Sequence, residues 1–122
     1  MKNLKSIFFL LALVVAIGAS AQKPKKVSLV QTPGVFEKTE LKLKAGKTYV
    51  FEVENSGVDH EVGFVIAPKG KTEQENHITE AYLQKTIANG EKAISNEVVL
   101  EKGEYVYFCP MNPTPQYTLV VE

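Results

Sequence analysis

Residues 103–117 read GEYVYFCPMNPTPQY, and this stretch decides how the rest of the sequence is interpreted. Its first half has the period of a strand, which puts Tyr105, Tyr107 and Cys109 on one face. The strand therefore delivers a cysteine at its tip, and a loop with three prolines leads to the apolar run at 117–121. Because a residue that precedes proline favours extended backbone, we expect this loop to be stiff and to hold Met111 beside Cys109.

A second stretch, residues 55–64 (NSGVDHEVGF), brings a histidine to the start of another strand. His60 follows a turn that Asn55 and Gly57 mark, and it precedes an apolar run. The two stretches together resemble the cupredoxin family, which includes plastocyanin and other small blue-copper proteins. In that family an Asn, a short loop and a His precede a Val/Phe strand, and a Gly-x-Tyr strand supplies a cysteine thiolate. The resemblance extends from residue 27 to residue 121.

The resemblance implies an all-β fold, a cupredoxin-like antiparallel Greek-key β-sandwich. It also implies a copper ion held by two imidazoles and one thiolate, with a weak axial ligand. His60 matches the first family histidine, and Cys109 matches the thiolate. The second family histidine has no counterpart, because no histidine follows His77 in the sequence.

The remaining donors near the cysteine are unusual for that family. By spacing, Asn112 stands where the second histidine would be, and Gln116 lies near the axial position. Thiolate and thioether with one imidazole form a soft donor set, which suits Cu(I) better than Cu(II). We therefore predict a metal site with copper as its cofactor, Cu(I) favoured, made of His60, Cys109 and Met111. Whether Asn112, Gln116 or His77 completes the site stays open.

The rest of the chain reads as short strands with one exception. Turn signals divide seven or eight strand-like runs, which is typical of a sandwich. Residues 72–90 instead predict one inserted surface helix of about four turns, because Thr72 and Glu75 form a capping box and a helical stripe follows. That stripe consists of Ile78, Tyr82, Leu83 and Ile87. On such a helix His77 would face solvent, unless the helix folds over the site.

The N-terminus has the pattern of an export signal. Two lysines, an apolar run from Ile7 to Ala19 and the small residues Ala19 and Ala21 form the three parts of a secretory signal peptide. We predict a signal peptide at 1–21, a tether at 22–26 and the cupredoxin-like domain at 27–122. The product would be periplasmic or secreted, with no membrane attachment after cleavage.

Composition narrows the function further. Every basic residue is Lys, and the predicted mature chain has 12 Lys and 14 acidic residues, a net charge of 12 − 14 = −2. The absence of Arg argues against nucleic-acid binding. The single cysteine, Cys109, has no partner for an intrachain disulfide, so export favours a metal or redox role for its thiol.

These observations predict an exported copper-binding protein for electron transfer or copper handling, whose partners are a copper ion and a redox or copper-delivery protein. The alternative is a metal-free cupredoxin-like binding module that has lost its copper site. A third hypothesis is a thiol redox partner that forms intermolecular disulfides. The sequence has no Ser-His-Asp or Cys-His pair in a recognisable catalytic context. It therefore predicts neither catalytic residues nor an enzyme. It leaves the oligomeric state open.

Overall fold

The computed structural model of the protein describes residues 23–111 and 114–122. These residues form nine strands. Their bounds are β1 Lys25–Thr32, β2 Val35–Phe36, β3 Glu40–Leu43, β4 Thr48–Asn55, β5 Val65–Pro68, β6 Lys92–Ile94, β7 Val98–Val99, β8 Gly103–Phe108 and β9 Tyr117–Val121.

The strands form two sheets that pack face to face. The first has the order β2-β1-β4-β6, and β7 pairs with the beginning of β4; the second has the order β3-β9-β8-β5. The predicted all-β sandwich is therefore confirmed. Two of the pairings, β1 with β4 and β3 with β9, are parallel rather than antiparallel. Parallel neighbours need a crossover connection, and the chain makes one when it passes through β3 in the other sheet between β1 and β4.

The core lies between the sheets and follows the period of two in β4. Tyr49, Phe51 and Val53 are at most 4% exposed, whereas the residues between them are half-buried. Aromatic rings join the two layers: Phe36 of the first sheet lies 5.6 Å from Tyr107 of the second, measured between ring centroids. Such ring pairs add to the stabilisation that burial provides.

The predicted helix at 72–90 is wrong. The structure has two single 3₁₀ turns there, Gln74–Asn76 and Thr79–Ala81, and bends with two isolated bridges follow them. The stripe residues are held by partners far away in the sequence: Ile78 N–H donates to the carbonyl of Ile66, and Leu83 and Ile87 form bridges with Ser95 and Val62. These pairings replace the bonds of a helix, so tertiary contacts override the local periodicity.

The strand predicted from His60 also begins later than expected. β5 starts at Val65, and the preceding residues form a loop in which Val62 makes a single bridge to Ile87. This loop carries the chain from the first sheet to the second, and it ends next to the tip of β8.

The N-terminal boundaries are observed in part. The predicted signal peptide, 1–21, lies outside the described residues. β1 begins at Lys25 and pairs in parallel with β4, so the last two residues of the predicted tether belong to the sheet. Among residues 23–111 and 114–122, no helix is long and apolar enough to cross a membrane.

Candidate metal centre

The pairing of β5 with β8 places Cys109 next to the loop that precedes β5. β5 and β8 are antiparallel with Val65 opposite Phe108, so the residue after β8 meets the residues just before β5. Cys109 is 4% exposed, and its Sγ accepts a hydrogen bond from the backbone N–H of Gly63 at 3.4 Å. The thiol is therefore enclosed at one pole of the sandwich, with a partly positive N–H group facing its sulfur.

The sulfur of Met111 also lies close to Gly63. A Cβ atom added to Gly63 would be 3.7 Å from Sδ of Met111 and 3.7 Å from the ring of Pro110. Gly63 thus contacts the thiol of Cys109 through its N–H, and it contacts the thioether of Met111 on the side where another residue would carry a Cβ atom. Met111 is 45% exposed, whereas Cys109 is buried, so the pair leads from the protein surface to the interior.

Two polar side chains fix the backbone around these sulfurs. The hydroxyl of Thr114 accepts the N–H of Cys109 at 3.1 Å and so braces the start of the loop against its end. The amide of Gln31, which is fully buried, donates to the carbonyl of Gly63 at 3.4 Å. Gly63 is therefore held at both its carbonyl and its N–H group.

His60 lies in the loop before Gly63, and its ring is not drawn into the interior. The side chain is exposed, and its Nδ1 is 3.0 Å from the carbonyl of its neighbour Glu61. What the loop fixes is the backbone of His60, since the amide of Asn55 donates to the His60 carbonyl at 3.1 Å. Cys109 and Met111 both contact Gly63, whereas the ring of His60 lies against the carbonyl of Glu61.

The other predicted candidates fall elsewhere. Asn112 lies outside the described residues. Gln116 is exposed, just ahead of β9. Within the described part of the chain, no group of three or more His, Cys, Asp or Glu side chains is gathered closely enough to hold a metal ion.

A groove of about 450 Å³ opens beside Met111. Gly63, Pro110 and Met111 form one wall, and the residues that follow the first 3₁₀ turn form the opposite wall, among them His77, Tyr82 and Leu83. The expectation that His77 is a solvated residue on a helix is wrong. Its ring is half-buried and lies 6.1 Å from the ring of Phe108, centroid to centroid.

Sequence reasoning placed no functional weight on Gly63 or Tyr82. A usable signal existed for the glycine, because it interrupts an apolar run where the chain enters β5. For Tyr82 no signal was available, because the predicted helix at 72–90 does not form. The hydrogen bond between Tyr82 and His77 depends on the structure that replaces that helix.

The donors present fit one oxidation state of copper better than the other. A thiol and a thioether both contact Gly63, and such soft ligands suit Cu(I). The plane of two imidazoles and a thiolate that the resemblance implies is not assembled, because the chain has two histidines in all and one of them, His60, is exposed. A copper ion held by these two sulfurs would be favoured as Cu(I).

A comparison with known protein families identifies the family of this chain. The model of the cupredoxin-like domain matches residues 5–121. The chain belongs to the cupredoxin-like family. This confirms the resemblance that the sequences around His60 and Cys109 indicate. A comparison with curated proteins gives no match.

Several solved structures share this cupredoxin-like fold. Auracyanin A, a "blue" copper protein from the green thermophilic photosynthetic bacterium Chloroflexus aurantiacus, has a TM-score of 0.68 and 18% identity, covering 82% of this chain and 100% of its own. An azurin from Methylomonas sp. strain J has a TM-score of 0.64 and 15% identity, covering 82% and 99%. At such identities the similarity establishes the fold.

One enzyme is also among these neighbours. It is a copper-containing nitrite reductase from Thermus scotoductus, with a TM-score of 0.54 and 19% identity. The match covers 84% of this chain but 23% of the reductase chain, so it concerns one domain of a larger protein.

Proposed function

We propose that this cupredoxin-like protein binds Cu(I) through the thiolate of Cys109 and the thioether of Met111, and that its role is copper handling. The observation that supports this proposal is that both residues contact Gly63: its N–H donates to Cys109 Sγ at 3.4 Å, and Met111 Sδ lies 3.7 Å from the position that a Cβ of this glycine would take. Copper(I) has a closed d shell and favours soft ligands, so a site dominated by sulfur holds it against oxidation to Cu(II).

The exposure of the two sulfurs suits transfer rather than permanent storage. Met111 is 45% exposed and Cys109 is 4% exposed. An incoming ion would meet the thioether first and the thiolate second, and a protein partner could take it back along the same path. The predicted partner is therefore a copper-delivery or redox protein that docks at this pole.

The nitrogen donor and the location of the protein are part of the proposal. His60 is the imidazole that the family motif predicts, and its exposed ring would have to turn towards the sulfurs to bind. Export to the periplasm or the exterior follows from the signal peptide predicted at 1–21. We assign no catalytic residue to the chain.

The test is a Cu(I) titration of the purified protein, lacking residues 1–21, against a chromogenic Cu(I) chelator. We expect one equivalent to bind, and Cys109→Ser to weaken binding by at least about 100-fold, because the loss of a direct ligand exceeds the 10- to 100-fold typical of an outer-shell group. Met111→Leu, which keeps the volume and removes the thioether, should weaken it by about tenfold.

Two outcomes would contradict the proposal. One is the absence of binding at one equivalent, and the other is binding that Cys109→Ser leaves unchanged. Urea unfolding of each metal-free variant serves as the control, since a lost fold would also lose the site. An intense visible band on addition of Cu(II) would instead favour electron transfer over Cu(I) handling.

A metal-free binding module is the second candidate. It is favoured by the absence, among the described residues, of any group of three or more His, Cys, Asp or Glu side chains that could hold a metal. In that case Cu(I) would leave the melting temperature unchanged, because a ligand that the folded state does not bind cannot stabilise it. A thiol redox role is disfavoured by the burial of Cys109, since thiol–disulfide exchange needs an accessible sulfur.

A further inference from the structure

Lysine side chains are concentrated at the end of the sandwich that lies opposite Cys109. β8 ends next to Cys109 and begins at Gly103, and its antiparallel neighbour β5 ends at Pro68, so these two residues belong to the far end. The turn between β3 and β4 lies there too, because the N–H of Gly46 donates to the carbonyl of Leu100 at 3.1 Å. β1 also begins at this end, beside the start of β4.

We define this end, the basic pole, by the pieces of chain that meet there: 23–26, 44–47, 69–71, 101–104 and 122. They carry eight lysines and three glutamates, a side-chain charge of 8 − 3 = +5. The rest of residues 23–122 carries four lysines and 11 acidic residues, 4 − 11 = −7. The charges of the chain are therefore separated along its long axis. The eight lysines are Lys23, Lys25, Lys26, Lys44, Lys47, Lys69, Lys71 and Lys102.

These lysines are available to a partner. All eight are exposed. Lys26 pairs with Glu52 at 3.2 Å, and Lys69 pairs with Glu104 at 3.9 Å. Among the residues that the structure describes, the other six form no ion pair. Counting Glu52 with its partner lowers the charge of the basic pole by one, to 5 − 1 = +4.

The make-up of the basic pole suits an anionic lipid surface. Its lysines come from several strand ends and not from one groove, so they form a broad charged surface. Shaped carboxylate and phosphate sites favour the bidentate guanidinium of arginine, which the chain lacks, whereas the lysine ammonium is a point charge. Val99, opposite Thr48 at the start of β4, is 59% exposed and adds an apolar side chain at the same end. Lysines near an anionic bilayer each strengthen binding by about fivefold.

We propose that the basic pole binds peripherally to membranes that contain anionic phospholipid, so that Cys109 and Met111 point away from the bilayer. The same lipids repel the rest of the chain, with its charge of −7, and this fixes the orientation. The inference goes beyond the proposed function and does not depend on copper binding. It differs from the sequence-based expectation of no membrane attachment, because contact through lysines needs no inserted segment.

The experiment is cosedimentation with lipid vesicles at low ionic strength. The protein lacks residues 1–21, since their apolar run would bind vesicles by itself. Vesicles with about 30% phosphatidylglycerol should bind it at least about tenfold more strongly than vesicles of phosphatidylcholine alone. Raising the NaCl concentration to about 0.5 M should release the protein, because the Debye length falls to about 4 Å.

Two triple variants separate the position of the charges from their number. The first changes three unpaired lysines of the basic pole: Lys44→Gln, Lys47→Gln and Lys102→Gln. The second changes three exposed lysines elsewhere and reaches the same net charge: Lys38→Gln, Lys85→Gln and Lys92→Gln. The first should weaken vesicle binding by about 100-fold, at about fivefold for each lysine, and the second by less than about threefold. Urea unfolding of both variants verifies that they fold.

Three results would overturn the proposal. Equal binding to the two kinds of vesicle would show that the lipid charge does not matter. Equal losses in the two triple variants would show that the net charge acts and not the basic pole. Retention on the soluble polyanion heparin without binding to anionic vesicles would assign the basic pole to an acidic partner other than a bilayer.

Discussion

Asn55 shows how one buried amide can organise the loop that leads to the sulfur pair. Its Oδ1 accepts the N–H of Val58 at 2.9 Å, and its Nδ2 donates to the carbonyls of His60 and Ile87 at 3.1 and 3.2 Å. The side chain is fully buried, and each of these bonds replaces one that water would otherwise make. Asn55 therefore determines the path by which the chain reaches Gly63.

Replacing Asn55 with Ala should lower the free energy of unfolding by about 2–4 kcal/mol, because the buried N–H of Val58 and the carbonyl of His60 lose the bonds that Asn55 makes, and the carbonyl of Ile87 keeps the bond from Val62 alone. Urea denaturation at neutral pH measures the loss. Asn96→Ala is the matched control, since the exposed Asn96 accepts one bond from Gln84 and should cost less than about 0.5 kcal/mol. Equal losses in the two variants would refute the role assigned to Asn55.

Tyr107 makes the free energy of unfolding depend on pH in the alkaline range. Burial, with smaller contributions from Tyr117 and Glu40, raises the pKa of its phenol to about 12. The folded state therefore holds the proton more tightly than the unfolded chain, in which the pKa of tyrosine is about 10. The resulting stabilisation is complete below pH 10 and is lost as the pH rises towards 12.

Between pH 8 and pH 11 the protein should lose about 1.4 kcal/mol of unfolding free energy more than the variant Tyr107→Phe. Urea titrations at the two pH values give the difference. At pH 8 the variant should itself be less stable by about 1 kcal/mol, because the carbonyl of Lys38 loses the bond that the Tyr107 hydroxyl donates at 2.6 Å. Parallel losses with pH in both proteins would rule out this assignment.

At the scale of elements, the segment between β5 and β6 behaves as part of the sandwich. Ile87 is fully buried, and its backbone exchanges two hydrogen bonds with Val62. The segment covers the edge of the core where β5 begins and carries His77 to the groove. Its order therefore depends on the core and not on a helix of its own.

Ile87→Ala should cost about 3 kcal/mol, as is usual for a buried isoleucine that leaves a cavity. Ile94→Ala, at a side chain that is 41% exposed, should cost less than about 1 kcal/mol. Both values come from urea denaturation, and far-ultraviolet circular dichroism of either protein should lack a helical spectrum. A cost below 1 kcal/mol for Ile87 would show that the segment is not anchored.

These elements also show which features a sequence can predict. The alternation of Tyr49, Phe51 and Val53 is a local pattern typical of a strand with one buried face, and the structure has such a strand there. The stripe from Ile78 to Ile87 has helical spacing, but its partners Ile66, Val62 and Ser95 are distant in sequence. A periodicity cannot reveal such partners, so the predicted helix failed.

The candidate site also has some features that a local sequence pattern predicts and others that depend on distant residues. The sequence identified Cys109 at a strand tip and Met111 next to it, because both depend on local pattern. The contact with Gly63 depends on the register of β5 against β8, which is fixed by the whole sheet. The role of His60 as a ligand stays a prediction, and the orientation of His77 followed only from coordinates.

At the scale of the whole molecule, the predicted export can be tested directly. Cleavage after Ala21 would leave Gln22, Lys23 and Pro24 ahead of β1, so the whole sheet would be retained. Expressed from residue 1 in a bacterial host, the protein should accumulate in the periplasm with Gln22 as its first residue, as mass spectrometry of the purified chain would show. Ala21→Glu, which spoils the small-residue site, should block processing. An intact chain in the cytoplasm would contradict the predicted signal peptide.

The position of β9 constrains the order of assembly. β9 lies between β3 and β8, with Leu41 opposite Leu119 and Tyr105 opposite Leu119 on its other side. Until residues 117–121 are synthesised, β3 has no neighbour in its sheet and β8 has one open edge. The second layer must therefore wait for the last strand, and non-local pairing of this kind slows folding. A chain that does not yet include residues 117–121 would therefore lack this layer and would be suited to threading through a translocation pore.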